Sequence, residues 1–422
     1  MRPLYSFNIL MYGLTLRFAS LFHAKARQWI TGRKNLFTEL EKKIAGTDQP
    51  VVWFHCASLG EFEQGRPLIE QIKKRYPGHR ILLTFFSPSG YEVRKNYEGA
   101  DVISYLPLDT PANARRFIRL VKPKVVFFIK YEFWLNMLAL LRENTIPHYL
   151  VSAIFREKQV FFKPWGGIFR DALKGFTFIF TQENKSINLL QSIGITHAEV
   201  SGDTRFDRVA EIAANAKQIP LAEKFAGAGK KVIVAGSTWP QDEAHLFPAI
   251  CEHLTNGWKL LIAPHELNEA RLSSIESALE KMGVEQTNIQ RFSKANEKTI
   301  ANAQVLLIDN MGMLSSLYRY GRIAYIGGGF GRSIHNTLEA AVYGIPVIFG
   351  PRFEKFNEAK GLIARGGGFS VSTGEELNTV LNTLMRDEKR MSEAGKKAGE
   401  YVIQNKGATE KILAKAASAF NH

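Results

Sequence analysis

Two acids stand where an apolar, strand-like run gives way to a loop. Ser58-Leu59-Gly60-Glu61 follows the run 51–57 and leads into a helical pattern through Leu68 and Ile72, and Glu132-Phe133-Trp134 follows the run 125–129. A carboxylate projecting from a strand end can remove a proton from an attacking hydroxyl, which is general-base chemistry. Glu61 also has a plainer reading, as an acid complementing the positive end of the helix it opens. Glu132 sits among aromatics, where a carboxyl has an altered pKa; the plainer reading is an exposed partner of Lys130. In the stretch 201–207, Arg205 offers positive charge to a developing anion, unless the stretch is a plain hinge turn.

Donors gather in a second set of loops. Gly236-Ser237-Thr238-Trp239 and Pro264-His265-Glu266 each end a strand-like run, and Gly327-Gly328-Gly329-Phe330-Gly331-Arg332 precedes His335-Asn336-Thr337-Leu338-Glu339. A glycine-rich turn exposes backbone N–H groups, and a helix starting just after it presents a positive dipole end, a combination suited to phosphate. Asn336 and Glu339 are three apart and share a helical face, so one can hold a base or ribose while the other holds a hydroxyl pair. The alternative is a packing turn with a cap.

Residue types exclude several other chemistries. There is no GxGxxG, HExxH or GxSxG, and 226–231 (AGAGKK) lacks the upstream Gly and the Ser/Thr of a phosphate loop. No Asp-x-Asp occurs, so the metal-chelating acidic pair of many nucleotide-sugar enzymes is missing. A donor with a single phosphate needs less charge neutralisation, and glycine-loop amides suffice for it. Cys56 and Cys251 stand far apart outside any Cys/His cluster, which supports neither a disulfide framework nor structural zinc.

The elements that must position these loops alternate between short β-rich runs and helical stretches, the pattern of a parallel sheet covered by helices. Runs at 51–57, 81–86, 102–106, 125–129, 148–151 and 176–181 form a first set, and runs at 232–235, 259–263, 305–308, 323–326 and 346–349 form a second. The expected organisation is an N-terminal segment 1–34, a doubly wound domain 35–206, a linker 207–229, and a second doubly wound domain 230–422 ending in basic helix. Ligands bind beyond the carboxyl ends of such strands, so a cleft between the two domains is the default site. The 422 residues carry a formal charge of +15 and a pI near 9.6, pointing to an anionic partner. The run from Pro3 to Leu16 is uncharged but is interrupted by Arg17, before the span of about 20 residues that a crossing helix needs. With Lys25, Arg27, Arg33 and Lys34 close behind, it suits a helix lying in an anionic membrane interface. A cleaved signal peptide and an ordinary packing helix are the alternatives.

These motifs, in this order along almost the whole chain, resemble those of the 3-deoxy-D-manno-octulosonic acid (Kdo) transferases. They include Ser58-Leu59-Gly60-Glu61, Glu132-Phe133-Trp134, the stretch 202–207, Pro264-His265-Glu266, Met311-Gly312, His335-Asn336-x-Leu338-Glu339 and Gly344-Ile345-Pro346-Val347. The family are inverting glycosyltransferases of the α/β GT-B fold, two doubly wound Rossmann-like domains facing across a cleft. The resemblance implies transfer of Kdo from CMP-Kdo to the lipid A precursor (lipid IVA) at the cytoplasmic face of the bacterial inner membrane. It implies no metal and no other cofactor. Glu61 becomes the general base, and Glu132 and Arg205 become stabilisers of the transition state. CMP falls to Pro264, His265, Met311, Gly312, Met313, Asn336, Thr337, Leu338 and Glu339, while Ser58, Gly60, Arg66, Ser237, Gly328 and Gly329 are further donor or acceptor candidates. The chain departs from the family at Lys130 (usually an acid), Met313 (usually Glu), Ser333-Ile334 (usually Gly-Gly) and Arg205 (usually Lys). The last keeps the charge and changes its geometry.

Two rival readings use the same features. Another GT-B enzyme would take a UDP-sugar and a lipid-linked acceptor, and a non-catalytic anionic-lipid binder would explain +15 without needing Glu61. Nucleic acid is not an expected partner, because no recognition-helix or RNA-binding aromatic pattern occurs and the positive charge is spread along the chain.

Overall fold

A computed structural model describes residues 2–46, 48–229 and 231–420. The expected domain limits at 1, 230 and 422 fall outside these described residues. The chain divides into two compact units, Met1–Arg208 with Lys406–His422, and Val209–Asn405.

The first unit is built on β1 (Val51–Cys56), β2 (Arg80–Phe85), β3 (Val102–Tyr105), β4 (Pro123–Ile129), β5 (His148–Ala153), β6 (Phe178–Thr181) and β7 (Ala198–Val200). They pair in the order β3-β2-β1-β4-β5-β6-β7, every ladder parallel. Helices cover both faces, which is why β1 reads as a run that is apolar but for His55 rather than an alternating one. Val51 and Trp53 pack into one core with Phe117 and Phe128, and Val52, Phe54 and Cys56 into the other with Phe62 and Phe127. The order reverses direction between β1 and β4, so that point on the carboxyl edge is the topological switch where ligands of such sheets bind.

The second unit repeats the design. Its strands are β8 (Val232–Thr238), β9 (Lys259–Pro264), β10 (Ile289–Arg291), β11 (Val305–Leu307), β12 (Ile323–Ile326), β13 (Val347–Phe349) and β14 (Gly368–Ser370). They are ordered β10-β11-β9-β8-β12-β13-β14 and again all parallel. Here the switch lies between β8 and β12.

Two expected boundaries are corrected. Residues 207–229 are not an open linker: they hold the helices Thr204–Ala214 and Pro220–Ala226, and Ala222 and Phe225 are buried. Ile219 N–H donates to Tyr320 Oη at 2.7 Å, which ties this stretch to the second unit. The C-terminal residues do not end the second unit but return to the first. There Ile412, Leu413, Ala416 and Phe420 fill the core over Phe54 and Phe127, and Phe420 stacks on Tyr76 at 4.2 Å. Asp207 accepts from Thr409 N–H and Oγ1–H, both at 2.8 Å, capping the returning helix Ala408–Ala416.

The N-terminal helix Arg2–Ala19 docks on the first unit by its polar face. Tyr5 donates to Asp109 at 2.8 Å, and Asp109 also accepts the N–H groups of Asn136 (2.9 Å) and Met137 (3.0 Å), which begin the helix Leu135–Glu143. Burial pushes Asp109 up to about 7 against the pull of those donors. Arg33, expected among the exposed basic residues, turns inward instead. Its guanidinium lies 3.7 Å over Trp29 and donates to the carbonyls of Leu106 (2.8 Å) and Phe86 (2.7 Å), and burial lowers its pKa to about 9.

Candidate active site

Of the predicted residues of the first unit, Glu61 and Glu132 lie on the carboxyl edge at the β1/β4 switch, whereas Arg205 is on the helix that follows β7 at the sheet's edge. Glu61 is in the first turn of the helix Leu59–Arg75, five residues beyond β1, and Glu132 lies three beyond β4, the strand paired with β1. Ser58 precedes that helix, and its hydroxyl donates to the Glu61 carboxylate while accepting from no backbone N–H as a cap would. Glu61 is half-buried and Gly60 beside it is exposed, an arrangement that leaves the carboxylate reachable from solvent.

Glu132 is not the exposed partner of Lys130. It is 6% exposed, and its Oε2 accepts from Trp134 Nε1–H at 2.6 Å and lies 2.9 Å from His55 Nε2. His55, on β1, is itself fully buried, with Nδ1 2.9 Å from Thr84 Oγ1. Both acids act through space on the thiol of Cys56, which burial and these two charges push up.

Arg205 is already paired. Its Nε–H and Nη2–H donate to Asp203 Oδ2 at 2.9 and 2.7 Å, and its backbone N–H donates to Oδ1 at 2.9 Å. Burial alone would push Asp203 up, but the guanidinium beside it outweighs that and holds it below its ordinary value. Any negative charge meeting Arg205 therefore competes with Asp203. Arg66 is similarly committed, donating to Glu70 at 2.7 Å one turn along its helix.

Three non-glycine residues with left-handed backbone mark the carboxyl edges: Lys130 (φ 72°) after β4, Ser152 (φ 56°) near the end of β5 and Ser237 (φ 54°) near the end of β8. Each costs about 1–3 kcal/mol, and such strain collects where a loop must aim side chains.

In the second unit the glycine-rich turn does something other than what its composition suggests. The carboxylate of Asp242 is buried beneath it, accepting from Gly328 N–H at 2.7 Å, Phe330 N–H at 3.4 Å and Trp239 N–H at 2.9 Å. Those amides face an internal acid rather than an incoming phosphate. The glycines serve close packing: a Cβ on Gly327 would stand 2.3 Å from the Ser237 carbonyl oxygen, and one on Gly329 would stand 2.6 Å from Gly350 Cα. The helix expected to offer its dipole is a single turn, Leu338–Ala341, too short to focus charge as a longer helix does.

Asn336 stands before that helix rather than on it, so it shares no helical face with Glu339, but its Nδ2–H donates to Glu339 Oε1 at 3.0 Å and its Oδ1 accepts Leu338 N–H at 3.1 Å. Thr337 and Leu338 between them are fully buried, so their side chains face inward. His265, after Pro264 and β9, stacks on Trp239 at 4.5 Å and on His335 at 4.7 Å. Burial and His265 lower His335 to about 4, which keeps that imidazole neutral at neutral pH. In the turn after β11, Met311 is 87% exposed, Gly312 takes φ 89° and Met313 precedes the short helix Leu314–Leu317.

The residues given no role by the sequence are the buried partners: His55, Thr84, Asp203 and Asp242. The available signal was a His inside an otherwise apolar strand run, and an Asp two residues before Arg205.

The family model described as 3-Deoxy-D-manno-octulosonic-acid transferase (kdotransferase) matches residues 31–208. A 3-deoxy-D-manno-octulosonic acid transferase from Aquifex aeolicus (strain VF5) is 30% identical over 346 residues, 81% of this chain and 87% of that protein. One from Bordetella pertussis is 28% identical over 403 residues, 90% of this chain and 91% of that protein. Among solved structures, the UDP-GlcNAc 2-epimerase from Neisseria meningitidis bound to UDP-GlcNAc has a TM-score of 0.59 at 15% identity, covering 87% of this chain and all (100%) of that one. At that identity the likeness shows the fold alone, the two-Rossmann-domain GT-B fold. Strand-edge acids of the kind general-base chemistry needs, the matched first unit and a relative aligned over most of both chains agree: the chain belongs to the 3-deoxy-D-manno-octulosonic acid transferase family and is a glycosyltransferase.

Proposed function

We propose that the enzyme transfers Kdo from CMP-Kdo to a hydroxyl of the lipid A precursor, with Glu61 as general base, as a step of lipopolysaccharide synthesis at the cytoplasmic face of the inner membrane. The observation that carries this reading is Glu61 itself, a half-buried carboxylate oriented by Ser58 at the carboxyl edge beside the switch point. The acceptor oxygen bonds to the anomeric carbon from the face opposite the phosphate, CMP departs with the electron pair of the broken C–O bond, and the hydroxyl proton passes to Glu61. One displacement inverts the anomeric centre. Glu132 and Arg205 steady the charge that develops as the bond breaks, and the nucleotide lies against His265, the 311–313 turn, Asn336 and Glu339.

The donor is tested by incubating the enzyme with the lipid A precursor and either CMP-Kdo, generated in the assay, or UDP-sugars, with products resolved by mass. The Kdo mass increment, one or more, is expected from CMP-Kdo alone. A UDP-sugar increment without Kdo transfer would replace this reading with that of another lipid-directed GT-B enzyme.

A lipid acceptor explains the exposed apolar face at the N-terminus. Phe7, Leu14, Phe18 (68% exposed), Leu21 and Phe22 (70% exposed) line up outward, with Arg17, Lys25, Arg27 and Lys34 nearby. Among the described residues no helix is long and apolar enough to cross a membrane. The face therefore lies in the interface, each large side chain contributing up to about 1.5–3 kcal/mol when buried. Phe18→Ser with Phe22→Ser should reduce flotation with anionic vesicles at least tenfold, roughly 1.4 kcal/mol. Undiminished flotation would remove this helix from the membrane contact.

A further inference from the structure

The contacts of His55 set which side of its ring faces Glu132. Trp53 Nε1–H donates to Thr84 Oγ1 at 2.8 Å. Indole can only donate, and a hydroxyl has one proton and two lone pairs. Thr84 has one proton for two acceptors, the Phe54 carbonyl at 3.2 Å and His55 Nδ1 at 2.9 Å, and with Nδ1 taking it the ring's own proton sits on Nε2. On the far side of the ring, Nε2 lies 2.9 Å from Glu132 Oε2. Trp134 Nε1–H supplies one proton to this corner, at 2.6 Å from Oε2 and 3.0 Å from Nε2. Two lone pairs facing each other at the remaining contact would repel in a buried site. A second proton therefore lies between Nε2 and Oε2.

We propose that His55 is a positioning residue for Glu132: by sharing that proton with Oε2 it fixes the carboxyl group in one rotamer and leaves Oε1 as the oxygen presented to the reaction. Among the described residues Oε1 has no hydrogen-bond partner, which leaves it available. A glutamate otherwise carries some of the largest side-chain freedom of any residue, and catalytic groups act best when that freedom is already spent. Because His55 is on β1 and Glu132 on the loop after β4, the contact also ties the two strands of the switch point together at the site. This inference rests on the reading of Glu132 as part of the catalytic site.

Two amide substitutions separate positioning from mere packing. In His55→Gln the side-chain N–H₂ falls where Nε2 stood and still donates to Glu132, whereas in His55→Asn it falls where Nδ1 stood and serves only Thr84. With the folded, full-length enzyme, kcat for Kdo transfer in His55→Gln should exceed that in His55→Asn by about tenfold to a hundredfold, the worth of a hydrogen bond to a charged group. KM for donor and acceptor should differ little between the two. In a Glu132→Gln background the difference between them should vanish, because coupled residues do not act independently. Equal kcat values, or a faster Asn variant, alongside an impaired Glu132→Gln enzyme would overturn the role of His55 alone. Wild-type turnover by Glu132→Gln would overturn the role of Glu132 and that of His55 with it.

Discussion

Glu61→Gln should lower the rate of Kdo transfer by about 10²–10⁴-fold, the usual contribution of a general base. Glutamine keeps the size of the side chain and can still accept the Ser58 hydroxyl proton, so the helix turn stays as it is. What it loses is the ability to take a proton from the acceptor as the new bond forms. Glu61 belongs to the first unit, while the residues proposed for the nucleotide belong to the second. CMP affinity, read by calorimetry on the same preparation, should therefore stay within about twofold, a change of less than half a kcal/mol. A variant that turns over at the wild-type rate would mean the acceptor proton leaves by another route, and the base would have to be sought elsewhere on the same edge.

The largest effect on stability is expected at Asp242. Asp242→Ala strips acceptors from three backbone N–H groups and from the Tyr325 hydroxyl, which donates at 3.2 Å; the contacts to Gly328 and Tyr325 are buried in the second unit and those to Trp239 and Phe330 half-buried. Each buried donor left without a partner costs about 1–3 kcal/mol, so a loss of at least about 3 kcal/mol follows. Asp242→Asn should cost less: its amide oxygen in the place of Oδ2 still accepts from Gly328 and Trp239 N–H and its N–H₂ can donate to Tyr325 Oη, so that only Phe330 N–H is left facing a donor. The readout is urea unfolding of the full chain followed by fluorescence. Trp239 and Trp258 report the second unit, and its transition is treated separately from that of the first. An unshifted midpoint in Asp242→Ala would show that water replaces the carboxylate. Nucleotide affinity should also fall, since the same carboxylate holds Trp239, which in turn stacks on His265.

The central strands were legible because both of their faces are buried, which writes them as apolar runs. Three of the four edge strands were not. β7, β10 and β14 have three residues each, are mostly half-buried, and include Glu199, Arg291 and Gly368, so neither run length nor hydropathy sets them apart from loop. The site divides in the same way. Glu61 stands out because it follows an apolar run directly, whereas its relation to Ser58 resembles an ordinary helix cap and shows its geometry only in three dimensions. His55 and Thr84 sit inside runs that look like core, and their pairing depends on β1 lying beside β2 in register, His55 opposite Thr84. Asp242 looks like a solvated acid in the first turn of a helix, because nothing local in the sequence places the 327–330 turn above it. The glycines misled for a related reason: composition reports that the backbone must come close to something, and here that something is the backbone of neighbouring strands.

The return of residues 406–422 to the first unit makes the second unit an insertion within the first. On the ribosome, the N-terminal sheet emerges early but must wait for Phe420, made only after the whole second unit, to close the core over Phe54 and Phe127. A fragment stopping at Arg208 would carry that core face open to solvent, whereas Val209–Asn405 is contiguous and holds all seven of its strands. Of the two halves, the nucleotide-side unit is the one suited to being excised, swapped between relatives or crystallised alone.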